Sequence, residues 1–324
     1  MPPARLIVLI AGNFFVATSF LSVGGLLNEI AASLAIPIER AGLLIAAFGV
    51  SAAICAPTLA KLMIGWAVGS VIGNPLSVLI ASLLGWRASF AFIGIASAVV
   101  ALLVWRSLPA NVQVPPLNWH RWFEVLRSPA LRWLTAATAL TNVGGNVMLS
   151  YIAPIVKAVQ GISGPALAAL LFTSGIGGLL GNLLSVRLVR RVGATAVAYK
   201  CNGSSALMLL LWPFLASWTA AIYVAQFVWS LGSAGFPAVQ QARLVAVAPL
   251  LAAATIALNS SMTYLGGAIG ATIGASAWTI LEPRFMPWVG FVFVLAALGC
   301  SVLGERAAGK QREQDVGPKP DLRA

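Results

Sequence analysis

Two long apolar segments, residues 41–60 and 62–84, meet at Lys61 with almost nothing between them. Read as one helix they would run roughly 44 residues, about 66 Å at 1.5 Å per residue, twice a hydrocarbon core of about 30 Å. They must therefore be two spans joined by a very tight turn.

The rest of the chain has the same character. Of 324 residues, 60% are hydrophobic and 9% charged, against about 25% charged in a soluble domain. Polar surface that scarce cannot cover so large an apolar interior, so the solvent is lipid. The net charge of +12 does not point to nucleic acid, because the basic residues fall between apolar runs and form no single polar face. Cys55, Cys201 and Cys300 lie far apart inside apolar segments without metal-ligand spacing, so they read as small membrane-buried residues, with no metal or other cofactor expected. Arg5 opens an apolar run reaching about Leu27. That run is too long for a signal sequence and reads as a retained first span.

Apolar windows predict about ten helices, near residues 6–28, 41–60, 64–84, 88–106, 133–157, 166–187, 194–215, 219–241, 253–280 and 287–304. No alternating pattern suggests a β-barrel. With the N-terminus inside, only Arg40, Arg87, Lys157 and Arg284 of the 20 lysines and arginines fall outside. This favours both termini in the cytoplasm. The chain then divides into a four-span half over 1–106, a cytoplasmic linker over 107–131, a six-span half over 132–304, and a disordered cytoplasmic tail over 305–324. In the linker, Trp119, Trp122, Phe123 and Leu126 share one helix face, as in an amphipathic helix lying at the interface.

Small residues recur every four positions in three spans: Gly65, Gly69 and Gly73 before Pro75; Ser174, Gly178 and Asn182 beside Gly181; and Gly266, Gly270 and Gly274. Such stripes let helix backbones approach closely, either as static packing or as a smooth contact on which two bundles rock. Asn13, Asn142, Asn146, Tyr151, Gln226, Asn259 and Tyr264 sit at membrane depth. Each faces a neighbouring helix or a cavity, because facing lipid is costly. The eight carboxylates avoid the middles of the spans, Glu29 coming closest, and the one histidine, His120, lies in the linker. A proton-coupled carrier needs a titratable group within the membrane, and none is obvious. No hydrolase, nucleotide-binding or metalloprotease motif occurs, so an enzyme is not expected.

Several stretches resemble a known family. Gly25-Leu-Leu-Asn-Glu-Ile-Ala31, Ala41-Gly-Leu-Leu44 and Ala56-Pro57 are similar to the first two helices of major facilitator superfamily transporters. Gly73-Asn-Pro75 and Gly85-Trp-Arg-Ala-Ser-Phe90 resemble the family's fifth helix, with its antiporter motif, and the loop after it. Leu126-Arg-Ser-Pro129, Tyr151-Ile-Ala-Pro154, Gly161 and Gly181-Asn182 resemble the seventh and eighth. Gln241-Ala-Arg-Leu244, Ala257-Leu-Asn-Ser-Ser261 and Gly266-Gly-Ala-Ile-Gly-Ala271 resemble the tenth and eleventh. The branch resembled is the arabinose-efflux-permease and chloramphenicol-resistance group of drug–proton antiporters.

The resemblance implies an all-α, polytopic, major-facilitator-like bundle in a bacterial inner membrane. It would export small organic molecules, drugs or sugars, by alternating access, with protons as the family's coupling ion. Gly69, Gly73, Pro75, Gly178, Gly181, Gly266 and Gly270 would then serve helix packing or gating, and the seven polar residues above would be cavity candidates. The sequence departs from the family where the third and fourth helices and their basic Asp-Arg-x-Gly-Arg-Arg loop should stand after Lys61. Arg187-Leu-Val-Arg-Arg-Val-Gly193 is a weaker counterpart of that loop, and Ser77 replaces a usual glycine. Ser19 and Phe20 stand where relatives often carry an acid. The alternative is an internally deleted, non-transporting remnant or interaction subunit.

Overall fold

The computed structural model describes residues 3–59, 69–107 and 124–316, and among these every regular element is helical. The first stretch holds α1 (Pro3–Gly25), α2 (Leu27–Leu34) and α3 (Ile38–Leu59). The second begins with a π-turn at Gly69–Gly73, followed by α4 (Asn74–Leu84) and α5 (Trp86–Ser107). The third runs through α6 (Pro129–Leu149), α7 (Ile152–Gln160), α8 (Gly164–Val192), α9 (Ala194–Leu215), α10 (Thr219–Val247), α11 (Ala252–Ile280) and α12 (Met286–Val316). The Lys61 join and the linker residues Trp119, His120, Trp122 and Phe123 lie outside the described residues.

Local chemistry sets the boundaries. Gly85 and Gly193 end α4 and α8 at φ of 85° and 83°, where a side chain would be strained. Ser128 caps α6 by accepting from the Leu131 N–H, with Pro129 in the first turn. The π-turn ends at Gly73, two residues before Pro75. A proline removes one helical N–H and crowds the preceding turn, and a widened turn relieves both.

By length and composition, Trp86–Leu103, Gly164–Val192, Thr219–Val247 and Pro283–Gln311 each suffice to cross a membrane, and α6 with α7, bent by 42°, makes a fifth if counted as one span. The bend has a twin. α1 gives way to α2 at Leu26 (φ −107°, ψ 11°), and α6 to α7 at Tyr151 (φ −114°, ψ 12°). Each short helix then ends on a left-handed residue, Ala35 or Gly161. Each is followed by a backbone bond reaching back into its last turn, from Ile36 to Ala31 and from Ile162 to Val156. The windows 6–28 and 133–157 thus fold as the same broken helix twice.

The two parts interlock. α3 packs chiefly on α11, and α4 on α8, while α5 covers α1. α6 is held between α11 and α12. One hydrophobic cluster runs through both parts, from Leu26, Ile30 and Ile45 to Ile155, Leu171 and Trp212. Val125, at the end of the linker, is buried with Leu131, Leu134, Leu244 and Leu258, while Leu126 is exposed.

The expected disordered tail begins too early in the sequence reading. α12 continues as helix through Glu305 to Val316. Glu305 pairs with the fully buried Arg243 at 2.9 Å and accepts from Thr195 Oγ1 at 2.7 Å, which ties the start of the tail to α9 and α10. Residues 317–324 lie outside the described residues.

Candidate functional site

α1 and α6 meet just before their two breaks. A Cβ on Gly24 would stand 3.1 Å from the Leu149 carbonyl oxygen and 3.5 Å from Ser150 Cα, so a glycine is what allows the contact. Beside it lies a niche of about 10 Å³, room for about one water, lined by Leu21 and Gly24 of α1, Ile45 of α3, and Asn146, Leu149 and Ser150 at the end of α6. Sites that enclose drug-sized ligands run roughly 300–1,000 Å³, so in this conformation the niche is closed to them.

Its polar atoms are incompletely satisfied. Asn146 is 9% exposed and Ser150 3%. Asn146 Nδ2 donates to the Asn142 carbonyl at 3.0 Å. Asn146 Oδ1 and Ser150 Oγ have no hydrogen-bond partner among the described residues. A buried polar atom left in that state costs about 1–3 kcal/mol. No charged side chain lines the niche, and no group of His, Cys, Asp or Glu among the described residues could hold a metal ion.

Tyr151, at the break itself, is fully buried between α3 and α11. A Cβ on Gly42 would overlap its hydroxyl, one on Gly274 would stand 2.7 Å from its ring, and Trp278 stacks on it at 6.2 Å. Asn142 turns its Nδ2 to the Thr138 carbonyl at 2.8 Å, and Thr138 Oγ1 donates to Asn259 Oδ1 at 2.6 Å. Tyr264, half-buried on α11, offers its backbone oxygen to α3 at the level of Gly49. Gln226 is bonded elsewhere, donating from Nε2 to Ser174 Oγ at 3.0 Å in the α8–α10 contact. Asn13 lies on α1, and its side chain is outside the description.

The sequence candidates Asn142, Asn146 and Tyr151 therefore share the end of α6, and Asn259 faces the same helix from α11. The glycine stripes fall largely inside one part of the fold. Gly266 and Gly270 press on the α6 backbone at Ala139 and Val143, Gly178 and Gly181 face Ala234 and Leu231 of α10, and Gly73 meets Thr18 of α1. Gly69 opens the π-turn ahead of Pro75. Glycines that face across from the first part to the second are Gly24, Gly25, Gly42 and Gly49, none of them in a four-residue stripe. Sequence reasoning missed these and Ser150. The adjacent pair Gly24-Gly25 at the α1 break was the available signal.

Comparison with known proteins places this geometry. The sequence profile of the Major Facilitator Superfamily matches residues 58–199. The Uncharacterized MFS-type transporter YbcL of Bacillus subtilis is 22% identical over 258 residues, covering 80% of this chain and 66% of its own length. A Helicobacter pylori (strain HPAG1) protein named Probable sugar efflux transporter is 26% identical over 74% of this chain and 61% of its own length. The chain thus spans less than two thirds of these relatives. Among solved structures, a bacterial homolog of the human lysosomal transporter Spinster superposes with a TM-score of 0.58 at 15% identity, over 96% of this chain and 98% of that one. The chain is a multi-pass membrane protein, helical throughout its described regular elements, and over residues 58–199 it is similar to the transporters of the major facilitator superfamily.

Proposed function

We propose that this chain is a transporter that exports small organic molecules, drugs or sugars, across a bacterial inner membrane by alternating access. The observation that carries the reading is the niche with unpartnered Asn146 and Ser150 atoms where the two repeated breaks touch. Ligand sites between helix repeats form at broken helices. The proposed moving bodies are residues 1–106 and 132–304, meeting where α3 lies on α11, α4 on α8 and α1 on α6. Asn146 lines the niche, and Asn142 and Tyr151, close by on the same stretch of chain, come to line it as the bundles rock. Asn13, Gln226, Asn259 and Tyr264 join it when the bundles rock and their present contacts loosen. The shorter length relative to YbcL and the H. pylori protein supports the absence of the family's third and fourth helices. Proton coupling, expected from the family, would fall on Glu29 of α2, which has one oxygen buried without a partner among the described residues.

The test is export. Cells lacking their own pumps and expressing the full chain should accumulate less of at least one compound in a panel of labelled sugars and neutral antibiotics than cells carrying an empty vector. Equal accumulation across the panel, with the protein present in the membrane, refutes transport and leaves a remnant or interaction subunit. Vesicles with an imposed pH gradient then decide coupling: uptake that ignores the gradient removes the proton from the mechanism.

A further inference from the structure

We infer that the basic end of α8 docks an acidic phospholipid, with Arg187, Arg190 and Arg191 holding the headgroup phosphate and the leucines just before them holding the acyl chains.

Three arginines fall between positions 187 and 191 at the end of α8, and all are exposed. None of them makes a hydrogen bond or an ion pair with another described residue. No Asp or Glu occurs between Glu124 and Glu282, so α8, α9 and α10 carry no carboxylate to neutralise them. Glu305, which reaches α9 from α12, is already taken by Arg243 and Thr195. The negative end of the helix dipole favours cations in the last turn, but it leaves their guanidinium forks free. Lys200 extends the patch onto α9. The two helices join at Gly193, whose φ of 83° makes the turn. Arg187 and Lys200 stand on either side of that turn, each about 10 Å along its helix, and Lys200 is exposed as well.

What adjoins the charge distinguishes a lipid from a soluble anion. Leu180, Leu183, Leu184, Arg187 and Arg191 fall at i, i+3, i+4, i+7 and i+11, one face of a helix. The three leucines are 45–51% exposed, while Gly178 and Gly181 turn the other face of α8 to α10. The stripe runs about 16 Å, close to one leaflet of a core of about 30 Å. On α9, Lys200, Gly203 and Leu207 repeat the pattern at i, i+3 and i+7. Leu207 is exposed, and a Cβ on Gly203 would meet nothing within 4 Å, so space is open between the charge and the apolar surface. A soluble anion would use the arginines and leave the leucines bare. A nucleic acid or a soluble protein does not enter hydrocarbon to reach them. A phospholipid meets both, its phosphate gripped by the arginine forks and its chains lying along the leucines. A zwitterionic lipid would bring a cation of its own into a patch that has no carboxylate, which selects the acidic headgroup.

The test is equilibrium binding of radiolabelled dioleoylphosphatidylglycerol to the purified full chain in micelles. It should bind saturably, with unlabelled dioleoylphosphatidylcholine competing at least about tenfold more weakly. Inorganic phosphate and glycerophosphoglycerol, the headgroup without its chains, should not compete at the same concentrations. Each cation at the surface is worth about fivefold in holding an acidic lipid. Arg187→Gln with Arg191→Gln should therefore weaken binding about twentyfold. Arg127→Gln with Arg132→Gln, which removes two exposed cations near the start of α6, should weaken it less than about twofold. The competition pattern is read on the unaltered protein, so it decides even where a variant does not fold. The inference is overturned if phosphatidylcholine competes equally, if phosphate or the bare headgroup displaces the lipid, or if the folded α8 pair binds unchanged. It is also overturned if the α6 pair weakens binding as much as the α8 pair, which would spread the attraction over every basic helix end.

Discussion

Glu305→Ala should release the final turns of α12 while leaving the bundle folded. In the structure Glu305 Oε1 takes two bonds from Arg243, at 2.9 Å from one terminal guanidinium nitrogen and 3.3 Å from Nε, and one from Thr195 at 2.7 Å. Arg243 is almost wholly buried and, once the carboxylate is gone, keeps hydrogen bonds to Gln240 Oε1 at 3.0 Å and Ser301 Oγ at 3.4 Å and its place over the Tyr199 ring, 5.7 Å from the centroid. Breaking a fully buried pair costs about 3–5 kcal/mol. The Glu305 side chain is 35% exposed, so water screens it and replaces part of the loss, bringing the figure to about 2 kcal/mol. Each 1.36 kcal/mol is tenfold in an equilibrium, so local opening of this segment should become about 30-fold more frequent. Amide hydrogen exchange of the full chain in micelles reads this directly. Protection over residues 305–312 should fall by about that factor, while amides of α6 and α11 hold theirs. Glu305→Gln should lose less, because its side-chain oxygen still accepts from Thr195. A fall below about threefold in the alanine variant would refute the idea that this pair holds the helix.

Four further outcomes follow from contacts elsewhere in the bundle. Gly49→Ala places a methyl 2.9–3.0 Å from Ala268 and from the Tyr264 carbonyl; overpacking of this kind costs about 1–3 kcal/mol, and the melting temperature in micelles should drop. Thr138→Val leaves Asn259 Oδ1 without its 2.6 Å donor and should cost about 0.5–2 kcal/mol. Thr138→Val with Asn259→Leu should recover most of that, which a double-mutant cycle of melting temperatures checks. Tyr151→Phe deletes a hydroxyl that has no partner among the described residues, so the protein should melt no lower than the parent, and a fall of several degrees would reveal a bond the phenol makes. Gly42→Ala at the same contact should destabilise, since the new methyl overlaps that hydroxyl, and Tyr151→Phe should partly rescue it.

The helices were legible because an apolar run of about 20 residues has only one way to satisfy its own backbone in lipid. Over their described residues the ten windows are helical except at the breaks, Leu26 in 6–28 and Ser150–Tyr151 in 133–157. What the sequence did not show depends on contacts between distant residues. The segment from Glu305 to Val316 reads as solvated by its charge, yet its anchor, Arg243, lies 62 positions away. Asn259 and Asn142 read as cavity residues because an amide at depth needs a partner, and their partners are helix neighbours, Thr138 in both cases. Ser150 reads as one more back-bonded serine until the backbone turns aside at Tyr151. The breaks were hidden for another reason. Their local signals are easy to pass over inside an apolar window: Gly24-Gly25 directly before Leu26, and Pro154, which lacks the N–H that would bond the Ser150 carbonyl and crowds it.

A bend of this kind is repeated at nearly the same backbone angles in the first helix of each part, although the local sequences that permit it differ, a glycine pair in one and a proline in the other. Leu26 and Tyr151 share no chemistry that would favour it. What the two positions share is their neighbourhood, each against the end of the other's helix, with Gly24 admitting the Leu149–Ser150 backbone. The breaks, Gly24 and the unpartnered Asn146 and Ser150 therefore lie together, where the end of α1 meets the end of α6. Helix breaks and unsatisfied polar atoms both lower stability, and here they coincide at the place where the α1 backbone comes against the end of α6.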